Sequence, residues 1–167
     1  MKPLRFIYPA ATALLLAGCA GSVSEPTAVQ SLSPDQKANL HISDVTADAA
    51  SGVQMSDGDF GLICQKVKED IRAQTPAVLE APASGQPLKM NIHFTRFDRG
   101  NALARAMLIG MGQIKIEATV VLTDANGTAV GQYEVSKDFA LGGIAGATTN
   151  VEDVEEGFAK SVVEIVK

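Results

Sequence analysis

The stretch Leu88-Lys89-Met90-Asn91-Ile92-His93-Phe94-Thr95, LKMNIHFT, alternates apolar and polar residues without a break. Leu88, Met90, Ile92 and Phe94 fall on one side and Lys89, Asn91, His93 and Thr95 on the other, which predicts a strand buried on one face. Upstream the period is different. Phe60, Ile63, Val67 and Ile71 recur at helical spacing behind Ser56-Asp57-Gly58-Asp59, an N-cap with an acid three residues on. Pro76, Pro82 and Pro87 lie between the two patterns and predict turns and loops from Ala73 to Pro87.

Working outward, NLHISDVTA from Asn39 reads as a first strand in which Leu40 and Ile42 share a face. Beyond the central stretch, Ile114, Ile116, Ala118, Val120 and Leu122 form a second long alternation. Asp124-Ala125-Asn126-Gly127 is a turn, with Gly127 suited to the left-handed position. The returning strand places Tyr133, Val135 and Phe139 together. Thr149 and Asn150 then open a helix with an acidic first turn (Glu152, Asp153, Glu155), which complements the helix dipole. Its stripe is Val151, Val154, Phe158, Val162 and Ile165. The expected fold class is α+β: a two-layer sandwich in the order β-α-β-β-β-α, with a four-stranded mixed sheet and two helices on one face. The first crossover should bring its strands parallel, and the last three strands should form an antiparallel meander.

The N-terminus reads as an address. Lys2 and Arg5 precede a short apolar run, Ala10 to Ala17, far below the ~20 residues that span a membrane. Leu16-Ala17-Gly18-Cys19 looks like a bacterial lipoprotein box. Small residues at 17 and 18 admit the chain to a peptidase cleft, and the Cys19 thiol accepts a diacylglyceryl group. Cleavage between Gly18 and Cys19 then frees an amine for a further acyl chain such as palmitate. Two or more chains anchor stably where one does not. Ala20, where inner-membrane lipoproteins often carry Asp, points by analogy to the outer membrane and its periplasmic face. The domain plan that follows is a signal peptide over 1–18, lipidated Cys19 with a flexible tether over 19–38, and one periplasmic α+β domain over 39–167.

Composition narrows the function classes. The formal charge is −5, and loss of Lys2 and Arg5 with the signal takes it to −7. An acidic body is a poor partner for nucleic acid, whose binding is led by Lys and Arg on phosphates. Cys64, alone once Cys19 is acylated, reads as a small buried hydrophobe on a helix. His41 and His93 are the only histidines, and no His or Cys pairs stand at metal-ligand spacing, so no metal or cofactor is expected. The glycine-rich Leu141 to Asn150 lacks the Gly-Lys-Ser/Thr of a phosphate loop. No Gly-x-Ser-x-Gly occurs. Paired acids such as Asp57 with Asp59, or Glu155 with Glu156, read as helix caps. An enzyme is not expected, and no residue is assigned a catalytic role.

Two features remain for interaction. Arg96, Arg99 and Arg105 cluster in an acidic chain, where arginine forks suit headgroups or carboxylates; the plainer reading pairs them with local acids such as Asp98. ALARAMLIGMG, Ala102 to Gly112, is longer than a hairpin needs and strongly apolar. It is either a short helix added to the core or an exposed docking patch formed by Met107, Leu108, Ile109 and Met111, rimmed by Arg99 and Arg105.

Phe97-Asp98-Arg99-Gly100-Asn101-Ala102, then Ala104-Arg105-Ala106, Gly110-Met111-Gly112 and Asp124-Ala125-Asn126-Gly127, together resemble bacterial lipoproteins of domain of unknown function 4410. The resemblance covers about residues 86–166 and implies a periplasm-facing lipoprotein without assigned catalytic residues. The order of elements is also similar to lipopolysaccharide-assembly lipoproteins and to auxiliary lipoproteins of lipid-handling transporters, by fold analogy only. The expected function is a non-enzymatic interaction or assembly subunit of an envelope complex, with an envelope protein or a second copy as partner. A lipid or glycolipid carrier is the alternative, and it requires an apolar pocket between sheet and helices.

Overall fold

The structure, a computed structural model, describes residues 23–80, 86–107, 112–139 and 148–167, apart from the side chain of Arg105. Its elements are β1 (Thr27–Gln30), α1 (Pro34–Ala38), β2 (Ile42–Ala49), α2 (Asp57–Gln74), β3 (Leu88–Asp98), α3 (Ala102–Met107), β4 (Ile114–Thr123), β5 (Ala129–Phe139) and α4 (Val151–Val163). Short 3-10 turns follow α2 and α4. None of the described helices is long and apolar enough to cross a membrane.

The sheet runs β1-β5-β4-β3-β2. β2 and β3 are parallel around α2, while β3, β4 and β5 form an antiparallel meander. This corrects the expected architecture: the sheet has five strands rather than four, and the described residues hold four α-helices rather than two. The extra strand and one extra helix arise inside the stretch expected to be tether. β1 escapes a periodicity reading because all four of its residues are exposed. It is an edge strand, held by its ladder to β5 rather than by an apolar face. α1 does carry a legible signal in Ser33-Pro34-Asp35-Gln36, a capping box with proline in the first turn. The other extra helix, α3, lies in the β3–β4 connection.

One residue locks this segment to the domain. Leu32, 5% exposed, inserts beside Gly131, where a Cβ would stand 3.2 Å from the Leu32 side chain. Its amide donates to the Tyr133 hydroxyl at 3.1 Å in a buried position. Gly127 serves a separate need, taking φ +80° in the β4–β5 turn.

The inner sheet face and both long helices share one core. Ile63, Val67 and Ile71 of α2 and Val154, Phe158 and Val162 of α4 are fully buried over Met90, Ile92, Phe94, Ile114, Ile116 and Val120. The other face lies open and carries Asn91, His93, Thr119, Gln132 and Glu134, the half-solvated arrangement common in antiparallel sheets. A bulge between Phe94 and Arg96 shifts the register of β3 against β4.

If residues 27–32 belong to the fold, Tyr133→Phe leaves the Leu32 amide buried without an acceptor. We expect a loss of about 1–3 kcal/mol in urea unfolding, with faster amide exchange confined mainly to β1 and α1. Unchanged exchange there would show that the hydroxyl does not hold the segment.

Candidate functional site

The β3–β4 connection is braced at its base. The Asn101 amide donates to the Gly112 carbonyl at 3.1 Å, and Asn101 Oδ1 accepts from the Ala104 amide at 3.0 Å, capping α3. Asp98 Oδ1 accepts from the Gly100 amide at 2.8 Å, with Gly100 at φ +64°. Within α3, Leu103 and Met107 stand one helical turn apart on one side. They are 70% and 75% exposed, the most exposed large apolar side chains among the described residues. Ala104 and Ala106 are half-buried. Leu108, Ile109 and Met111 lie outside the described residues, as do Gly18, Cys19 and Leu141 to Ala147.

The arginines part company. Arg99 reaches Asp59 Oδ1 at 2.7 Å and lies 5.0 Å over the Phe97 ring. Asp59 also closes the α2 capping box, its carboxylate accepting the Ser56 amide at 2.8 Å. Its carboxyl is held below the ordinary range, first by that amide and then, against desolvation, by Arg99. Arg99 therefore clasps the end of β3 to the start of α2. Arg96 makes a 3.7 Å pair with Asp98, with both side chains about half exposed, which contributes little to stability. Both arginines border an open cleft of about 620 Å3 with Ser51, Gln54 and Thr95.

The open sheet face holds a cluster that sequence reasoning missed. His93 Nδ1 meets Asp48 Oδ1, and Asn91 Nδ2 donates to Asp48 Oδ2 at 3.1 Å and to Thr46 Oγ1 at 3.2 Å. The His93 contact, offset in part by desolvation, lowers the Asp48 carboxyl below its ordinary value. Only the parallel register of β2 on β3, Asp48 opposite His93, brings these groups together. His41 lies at the other end of that ladder, where its carbonyl accepts the Leu88 amide at 2.8 Å. Among the described residues no three His, Cys, Asp or Glu side chains converge on a cation position. Cys64 is half-buried on α2, and burial raises its thiol above the ordinary value, the opposite of an activated nucleophile.

Glu155 of α4 is the odd group inside. It is 3% exposed, and its Oε2 has no hydrogen-bond partner among the described residues. Burial pushes its carboxyl above the ordinary value of 4.5, with Lys66 opposing and Glu152 and Asp59 adding to the rise.

These elements define a two-layer α+β domain with one polar open face and an apolar pair displayed at a strand end. The chain belongs to the DUF4410 family, described as a domain of unknown function, whose model matches residues 27–143. The match begins at the first residue of β1. Two solved structures of the PelC dodecamer from Paraburkholderia phytofirmans share the fold. A leucine-to-methionine variant aligns with TM-score 0.50 and 14% identity over 84% of this chain and 96% of that one. A second crystal form aligns with TM-score 0.54 and 10% identity over 76% and 88%. No curated protein matches the sequence.

A raised carboxyl favours folding at acid pH, where it is protonated, and that contribution is lost as pH rises through the folded value. Glu155→Gln should therefore stabilise the domain at neutral pH by about 1 kcal/mol. The advantage should vanish below the ordinary glutamate range. Paired urea titrations of variant and wild type at neutral and acid pH check this, and equal differences at both would refute it.

Proposed function

We propose that this chain is a membrane-anchored periplasmic lipoprotein of the outer membrane, a non-catalytic assembly subunit that joins further copies of itself in an envelope complex. The observation that carries the reading is the exposure of Leu103 and Met107 on a connection pinned by Asn101 and Gly112. A braced apolar pair in the open is a contact surface rather than a frayed core. The likeness in fold to a subunit of the PelC dodecamer supports copies of the same chain as the neighbours. The Leu16 to Cys19 box supports the anchor. The layer between sheet and helices is filled by Phe94, Phe158, Ile63 and Met90, all fully buried. Among the described residues, that filling favours assembly over the carrier reading.

Crosslinking in intact envelopes should trap multimers of the wild-type chain and mostly monomer of the Leu103→Glu, Met107→Glu double variant. The melting temperature should move by no more than about 2 °C, since both side chains are exposed. A monomeric wild type, or a double variant that unfolds, would overturn the assignment of α3. Cys19→Ser should abolish incorporation of a palmitate analogue and accumulate precursor. Equal labelling of the variant would sink the anchor.

A further inference from the structure

The domain is held before β1 begins. The Ser24 amide donates to Ser161 Oγ of α4 at 2.7 Å. The next residue, Glu25, borders one cleft with Tyr133 and Ile165 on the helical side and another with Glu117 and Ser136 on the open side. The chain thus enters along the β1–β5 edge of the sheet. Five residues of chain lead from Cys19 to Ser24, and fully extended they reach at most about 18 Å.

Taking the Cys19 anchor proposed above as given, we propose that the domain rides with its β1–β5 edge against the lipid surface and turns its β2 edge toward the periplasm. The inverted orientation would use up most of that leash. β2 lies four strand spacings from β1, about 19 Å, so a domain standing on β2 would draw the leash out, whereas one standing on β1 leaves it slack. The side chains agree with the covalent limit. β1 carries no charge and all four of its residues are exposed. Val29 is 58% exposed and Val23, just before it, 49%. These two are the exposed large apolar groups of that edge, and they suit the headgroup boundary of a bilayer. β2 carries no Lys or Arg, and its Asp44 and Asp48 already hold Lys68 and His93. That edge has no spare positive charge for anionic lipid.

The test uses the full lipidated chain, purified from envelopes with Cys64→Ser and reconstituted in vesicles of phosphatidylethanolamine with a minor share of phosphatidylglycerol. A fluorescent donor is placed through Thr27→Cys or Thr46→Cys, and through Gln30→Cys or Ser43→Cys as an independent pair. Energy transfer to acceptors on lipid headgroups should be several-fold stronger from 27 and 30 than from 43 and 46. A flexible Gly-Ser insertion between Ser22 and Val23 should level the difference. Intact mass separates the two ways of failing. An acylated chain with equal transfer from both edges overturns the orientation alone. A chain without acyl groups overturns the anchor and the orientation with it.

Discussion

Phe94 is the joint on which both layers depend. Its ring lies 5.5 Å from Phe158 of α4, 6.2 Å from Phe60 of α2 and 6.4 Å from Phe97 further along its own strand. A single side chain thus ties the two helices to the central strand, and aromatic contacts of this kind add to simple area burial. The position of Phe97 needs explaining, because an odd offset from Phe94 should put it on the opposite face. The bulge between Phe94 and Arg96 supplies the extra residue that reverses the alternation. Phe97 then packs against the core, while Arg96 and Asp98 stay largely exposed.

That reversal decides the fate of the arginines. Had β3 continued without a bulge, Arg96 would have shared the inner side with Phe94. Instead Arg99 emerges over the Phe97 ring and meets Asp59, the residue that caps α2. The clasp and the cap share one carboxylate, so the end of β3 and the beginning of α2 are fixed together. From this fixed end the chain departs into α3. The exposure of Leu103 and Met107 is therefore a property of a positioned element, with a hydrogen bond across its base, rather than of a loose loop.

The parts legible in the sequence are those whose stability comes from one apolar face. Leu88 to Phe94 and Ile114 to Leu122 could be placed residue by residue, since each alternates cleanly and each inner residue is buried. The stripes of α2 and α4 were equally plain. β1 was not, because an edge strand earns its place through backbone pairing, and Thr27 to Gln30 bury no side chain. Its one deep residue, Leu32, follows the strand and fits only because Gly131 leaves room on another strand. The Asp48–His93 pair depends on the parallel register, which no local pattern encodes. In the proposed interaction surface, the apolar character of α3 is visible in the sequence, but its exposure is not. Apolar composition at helical spacing describes a buried and an exposed helix equally well. Arg99 does pair with an acid, but its partner Asp59 lies 40 residues away in the chain, where no local pattern points to it.

A small apolar patch and the proposed lipid anchor make physical sense together. Fully burying Leu103 and Met107 would contribute about 1.5–3 kcal/mol each. Free association in solution costs about 4–15 kcal/mol in lost translation and rotation. Two such side chains alone would not hold copies together in bulk water. Confinement on one membrane removes much of that cost, because copies on a surface meet at high effective concentration and with restricted orientation. The short reach from Cys19 to Ser24 restricts orientation further than a long tether would. Strands running broadly along the membrane would carry α3, at the Asp98–Ile114 end of the sheet, out sideways toward other anchored molecules. A patch too weak for solution can then suffice at the surface, and the same weakness keeps an acidic, exposed domain from aggregating before it is anchored.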